Sequence, residues 1–305
     1  MKRLAVLLAL LLATPALASD YDRPDRLVAL PDGRQMNLYC TGSGKPTVLL
    51  EAGYQAWSFA WVTTQLAIEK KYRVCSYDRA GLGFSDPGPS PRDGTNIAAD
   101  LDALITAAKL KPPFVLVGHS AGGLSMRLLA DRRPNDIAGM VFVDSSVEGQ
   151  FAGHEDSVHA VAAGYYKCEA AAKAGKLPSP TLPECPSPAF AWMPAGMRAE
   201  VERRGRGPDY WRTMGSEYES IGTLTSDEVK AGRQSYGDLP IVVLTAGSNG
   251  HWQAMHSALA GRSTRGTQHL FPTSGHLLQN EHPEAVAAAV DEVVAAGVEQ
   301  HRHPR

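Results

Sequence analysis

Short, unbroken apolar runs punctuate the first half of this chain at regular intervals. Residues 47–50, 114–117 and 139–143 carry almost no polar alternation. Runs of that length and character read as strands buried on both faces of a mostly parallel sheet. Residues 73–77 give another strand, and residues 27–30 and 36–40 form a hairpin around Pro31-Asp32-Gly33-Arg34. Between the strands the apolar spacing changes to the helical period, at about 59–70, 96–109 and 124–132. Strands alternating with helices predict a doubly wound α/β sheet, whose active groups gather beyond the carboxyl ends of the strands.

The alternation stops at about residue 147. From 148 to 237 the helical stretches are interrupted by Pro178, Pro180, Pro183, Pro186, Pro188 and Pro194. Aromatic residues are frequent there: Tyr165, Tyr166, Phe190, Trp192, Tyr210, Trp211 and Tyr218. Order resumes with strands at 239–245 and 267–271, a helix at about 252–260 and a closing helix at 283–296. The expected organisation is a core made of residues 19–147 and 238–305, with 148–237 inserted over the carboxyl edge of the sheet as a cap or lid.

The first 18 residues stand apart. Lys2 and Arg3 precede a ten-residue apolar run, 4–13, and Ala16-Leu17-Ala18 is a small-x-small cleavage pattern. This is the pattern of a secretory signal peptide, too short to span a bilayer, and it predicts a periplasmic or secreted protein with no stable membrane anchor once it is cut. Removing it leaves 28 basic and 32 acidic residues, a net charge of −4. No basic stripe is present, which argues against a nucleic-acid partner. In an oxidising compartment the four cysteines read as pairs, and three pairings are possible. Position favours Cys40–Cys75, on two predicted strands, and Cys168–Cys185, both in the insertion; buried free thiols are the alternative.

The chemistry centres on Gly118-His119-Ser120-Ala121-Gly122-Gly123, where a buried strand ends and a helix begins. Strand, tight turn and helix are the context that presents a serine hydroxyl as a nucleophile, and side chains at 118 or 122 would collide with neighbouring backbone. A serine hydroxyl needs a base. His276 is the best candidate, in an exposed loop after the last strand; His119 adjoins the serine but is expected on the opposite side of the turn, where it is structural or touches substrate. The acid that orients the base is expected to be Asp144, at the end of its strand, with Glu148 as runner-up. Asn249 could orient an imidazole without neutralising it. The oxyanion donors are expected to be the backbone N–H groups of Ala121 and Tyr54, with Tyr54 and Trp57 beside the substrate unless they only pack.

The pieces Glu51-Ala52-Gly53-Tyr54, Tyr77-Asp78-Arg79-Ala80-Gly81-Leu82-Gly83-Phe84-Ser85-Asp86-Pro87-Gly88, Gly118 to Gly123, Phe142-Val143-Asp144-Ser145-Ser146 and Ser274-Gly275-His276 together resemble the α/β hydrolases, the large lipase, esterase and peroxidase-like superfamily. The resemblance spans about 27–147 and 238–300. It implies an eight-stranded sheet in the order 1-2-4-3-5-6-7-8, a cap between strands six and seven, and the chain order serine, acid, histidine. That strand order would make the Cys40 and Cys75 strands neighbours. Two departures stand out. Ala52-Gly53 replaces the family's usual His-Gly, and the segment after strand seven, Ala246-Gly247-Ser248-Asn249-Gly250, lacks the usual acid. Some relatives, certain haloalkane dehalogenases among them, carry the acid after strand six, where Asp144 stands. Those enzymes use an aspartate nucleophile, which this chain lacks.

The expectation is therefore an exported serine hydrolase with a Ser120-His276-Asp144 triad, acting on a small carboxylic ester through an acyl-enzyme and requiring no metal or organic cofactor. Amide, thioester or C–C bond hydrolysis and perhydrolysis are alternatives on the same fold, as is a catalytically silent binding protein.

Overall fold

The computed structural model describes residues 21–178, 185 and 193–302. The expected signal peptide, and Pro180, Pro183, Pro186, Pro188, Phe190 and Trp192 of the insertion, lie outside the described residues.

One sheet is built from β1 (Arg26–Ala29), β2 (Gln35–Thr41), β3 (Thr47–Glu51), β4 (Arg73–Tyr77), β5 (Phe114–His119), β6 (Ile137–Val143), β7 (Ile241–Ala246) and β8 (Gly266–Phe271). Their order is β1-β2-β4-β3-β5-β6-β7-β8, as the family resemblance implies. The pairs β1–β2 and β2–β4 are antiparallel, and β3 to β8 run parallel with β4. Every residue of β3, β5 and β7 is buried, so their unbroken apolar character follows from having protein on both faces.

The core has two halves, one on each side of the sheet. Val48, Leu50, Val115 and Val117 face one half, and Leu49, Phe114 and Leu116 face the other. This is the period-two alternation of a strand. Helix α1 (Val62–Ile68) and the closing helix α10 (Pro283–Arg302) cover the first half through Ile68, Val286 and Val290. Helices α2 (Gly94–Ala107) and α3 (Gly122–Arg132) cover the second through Leu101, Leu104 and Leu129. Helix α2 starts where the Asp93 side chain accepts the Asn96 N–H at 2.8 Å, a standard N-cap.

Between β6 and β7 the chain forms α4 (Glu155–Lys173), α5 (Ala195–Arg204), α6 (Pro208–Gly222) and α7 (Leu224–Ala231). Helices α4 and α6 pack against each other. Helix α6 also rests on loops that leave β3 and β4: the Tyr54 hydroxyl donates to the Met214 carbonyl at 3.0 Å, and the Arg92 N–H donates to Ser216 Oγ at 2.8 Å. After β7 come α8 (Gly250–Ala260) and, beyond β8, a single turn α9 (Leu278–Glu281). That turn is too short to leave a periodic signal in the sequence. The helix expected over 59–70 divides into one 3₁₀ turn, Ser58–Trp61, followed by α1.

Cys40 is bonded to Cys75 and Cys168 to Cys185. Cys40 and Cys75 are register partners on β2 and β4, the neighbouring strands. Among the described residues no helix is long and apolar enough to cross a membrane. The Cys40–Cys75 bridge closes a loop of sequence separation 35. Loop-closure entropy in the unfolded chain puts its contribution at about 4 kcal/mol. A Cys40→Ala/Cys75→Ala variant is expected to lose stability of that order in denaturant unfolding, and an unchanged midpoint would refute the expectation.

Candidate active site

The parallel register brings the ends of β5 and β6 level with each other and with Leu244 of β7. His119, the last residue of β5, pairs with Val143, the last of β6, and Val143 pairs with Leu244 of β7. Ser120 and Asp144 are the next residues out. Both leave their strands through the left-handed region, with φ of 49° and 39°. That conformation is uncommon for residues with a Cβ and costs of order 1–3 kcal/mol each, so it persists only where the surroundings impose it. Here the Ser120 N–H donates to the Val143 carbonyl at 3.2 Å and the Asp144 N–H to the Leu244 carbonyl at 2.8 Å. The Ser120 carbonyl accepts from Gly123 and Ser146 N–H groups at 3.0 and 2.9 Å. The glycines are needed as expected: a Cβ at Gly118 would lie 2.6 Å from the Gly123 Cα, and one at Gly122 would lie 2.7 Å from the Ala52 carbonyl.

His276 reaches the same edge from the loop after β8. Its Nδ1 lies 2.6 Å from Asp144 Oδ2. The other carboxylate oxygen accepts from the Ala246 N–H at 3.0 Å and from Trp252 Nε1 at 2.8 Å. Burial pushes the Asp144 carboxyl upward, but the hydrogen bonds from His276, Trp252 and Ala246 outweigh it and hold the group below its ordinary value. An ionised carboxylate only accepts, so Nδ1 of His276 carries the proton and Nε2 is left as the basic atom. The Asp144 side chain is 6% exposed and that of His276 53%, so the carboxylate is enclosed while the imidazole faces the open side. The histidine loop is itself held: the Gly275 N–H donates to Glu281 Oε2 at 3.0 Å, and Ser274 Oγ bonds His282 Nε2 at 2.8 Å.

His119 is drawn into this cluster rather than to the opposite side of the turn. Its ring lies 4.7 Å from the His276 ring, centroid to centroid. Its Nε2 is 2.9 Å from the His276 carbonyl, which can only accept, so Nε2 carries the hydrogen. Burial, and next the neighbouring His276, push the His119 pKa down to about 3. A neutral His119 therefore pins the His276 main chain without adding a positive charge beside it. With 4% of its surface exposed, it supports the site rather than meeting a substrate.

The other sequence candidates divide clearly. A Cβ on Gly53 would lie 2.9 Å from the Ser120 Cβ, so the 51–54 loop abuts the serine. The N–H groups of Tyr54 and Ala121 find no acceptor among the described residues, as oxyanion donors require. The Tyr54 ring packs between Tyr165 and Tyr218 of the inserted helices, at 6.0 and 5.2 Å. Trp57 packs: it is 2% exposed and lies edge-on against Phe59 and Tyr210. Glu148 is paired with Arg127 and Arg262 and does not serve His276. Asn249 caps α8, accepting from the His251 and Trp252 N–H groups. Trp252 itself was not legible as a site residue, since nothing in its local pattern marks a partner 108 positions away. Among the described residues no group of three or more His, Cys, Asp or Glu side chains is arranged to hold a metal ion.

Comparison with known proteins bears on the family and the fold. The family model for the alpha/beta hydrolase family matches residues 43–289. The uncharacterized protein YqjL of Bacillus subtilis (strain 168) is 26% identical over 266 residues, 85% of this chain and 87% of its own length. Among solved structures, the epoxide hydrolase CorEH superposes with a TM-score of 0.69 at 18% identity, covering 88% of this chain and 98% of its own. An esterase from Thermogutta terrifontis superposes with a TM-score of 0.65 at 18% identity, covering 89% of this chain and 98% of its own. At such identities the structural likeness concerns the fold.

Trp252→Phe removes one donor to the Asp144 carboxylate, worth about 1.5–3 kcal/mol for a bond to a charged group. A carboxyl held low in the folded state stabilises the fold above its unfolded value, near pH 4, and that stability is lost as pH falls through the folded value. Removing the donor raises the folded value. The variant's deficit in denaturant unfolding should therefore be full at pH 7 and shrink below about pH 4; a deficit independent of pH would contradict the pairing.

Proposed function

We propose, for a chain that belongs to the alpha/beta hydrolase family, that it is an exported serine hydrolase cleaving carboxylic esters through an acyl-enzyme. The observation that carries this reading is the pairing of His276 Nδ1 with the enclosed Asp144, 2.6 Å away, on the sheet edge where Ser120 sits in a left-handed turn.

In this reading His276 Nε2 takes the Ser120 proton as Oγ attacks the ester carbonyl. Asp144 stabilises the imidazolium that results. The tetrahedral oxyanion takes the N–H groups of Ala121 and Tyr54, donors that are already in place before charge develops. His276 then protonates the departing alcohol. Water, deprotonated by the same imidazole, releases the acid from Ser120. The strained turn supports the reading because it keeps the hydroxyl off the strand and in front of the helix that begins at Gly122.

Residues 148–237 act as the cap in this proposal, and the packing of α6 on the Tyr54 loop supports that role. Export rests on the leader pattern of residues 1–18 and is supported by the two disulfides.

Ser120→Ala should abolish both p-nitrophenyl ester turnover and labelling by a fluorophosphonate probe. Asp144→Asn should leave labelling detectable but lower kcat about 10⁴-fold, through loss of the correct imidazole tautomer. Labelling that survives in Ser120→Ala, or a protein that never labels, contradicts the proposal.

A further inference from the structure

A fully buried guanidinium lies directly behind the Tyr54 loop, and the reaction scheme makes no use of it. Arg79 follows β4 and is 3% exposed; Glu51, at the end of β3, and Glu217, on α6, are 1% and 2% exposed. All five N–H donors of Arg79 have partners. Nε and Nη2 form a fork on the two oxygens of Glu217, at 2.9 Å each. Nη1 donates to Glu51 Oε1 at 2.8 Å and to the Ala52 carbonyl at 2.7 Å. Nη2 also donates to the Gly53 carbonyl at 3.0 Å. The Tyr77 hydroxyl donates to the remaining oxygen of Glu51.

Three charges enclosed in this way are poor evidence of stabilisation, since well-packed apolar side chains often do as well in their place. What the network provides is geometry. A trans peptide unit points its carbonyl and its N–H in opposite directions. Tying the Gly53 carbonyl to Arg79 therefore turns the Tyr54 N–H away from the guanidinium. The Ala52 carbonyl, tied to the same group, fixes the preceding peptide as well. One side chain bonds two consecutive planes of the loop that abuts Ser120, and the Gly53 carbonyl also accepts the Ala56 N–H at 3.2 Å. That side chain is in turn gripped by Glu217, which belongs to the inserted helices.

We propose that Arg79 is the positioning residue for the second oxyanion donor, and that Glu217 makes its position depend on α6 being seated against the core. The inserted helices then do more than cover the site: their docking completes the oxyanion hole. This inference rests on Tyr54 N–H serving as an oxyanion donor in ester cleavage.

Glu217→Gln tests it with the least disturbance, because it keeps the side chain's shape and one acceptor while removing the charge. Arg79→Lys is the second variant, since one ammonium cannot span both carbonyls and the fork. Three readouts are compared with the unsubstituted protein: steady-state kinetics on a p-nitrophenyl ester, affinity for a boronic acid that forms a tetrahedral serine adduct, and amide hydrogen exchange of the 51–56 segment. For Glu217→Gln the expected result is a fall in kcat of about tenfold or more with KM changed by less than about threefold, the pattern of an interaction made in the transition state. Boronate affinity should fall in parallel with kcat/KM, and exchange should quicken at Ala56, whose N–H donates to the Gly53 carbonyl, while β5 and β6 stay protected. Unchanged kcat and boronate affinity overturn the proposal. So does exchange that quickens uniformly across the sheet, which marks a merely structural role. Should Arg79→Lys fail to fold, Glu217→Gln decides. Failure of the ester reading itself would show differently, as absent fluorophosphonate labelling of the unsubstituted protein, and the exchange experiment would still test the coupling.

Discussion

The parallel register of β5, β6 and β7 is the constraint on which the rest of this molecule depends. Because His119, Val143 and Leu244 are in step, the two residues that follow the first two strands emerge side by side. Both emerge in a conformation that a free chain would avoid. The sheet can impose it because the strands behind them are buried on both faces and cannot slip without turning their side chains over. The strain at Ser120 and Asp144 is thus carried by the packing of Val115, Val117, Val141 and Val143, and by their partners across the sheet.

On that edge each polar group is held by a group from another part of the chain. Asp144 is fixed by the β7 end and by α8, and it fixes His276. His119 fixes the His276 backbone, and its own neutrality follows from burial. Arg79 fixes the loop opposite and ties it to α6. The arrangement is ordered from the sheet outward: strand ends first, then the loops that touch them, then the inserted helices.

The parts of this that were legible in the sequence are those with a local signature. An apolar run that stops at Gly118, followed within a few residues by a helical pattern, announces the turn at Ser120 without any knowledge of the fold. Asp144 could be found because an acid closes a strand of the same class, even with the usual position after β7 empty. The pairing of Cys40 with Cys75 was favoured by position on two predicted strands, and the strand order implied by the family resemblance supported it. Trp252, Glu217 and the true place of His119 were not legible, because each acts through a partner more than 100 residues away and looks locally like an ordinary helix or turn residue. For Trp57 the sequence left a substrate contact and simple packing both open, and its contacts with Phe59 and Tyr210 are those of packing.

Ester cleavage at this edge turns on which atom carries the acyl group. A rapid-quench reaction with an ester substrate, followed by peptide mapping, would locate it. A transient acyl mass is expected on the peptide that contains Ser120, appearing before the acid product and decaying as that product forms. An acyl mass on any other residue, or acid product formed at full rate with Ser120 never modified, would contradict the proposal.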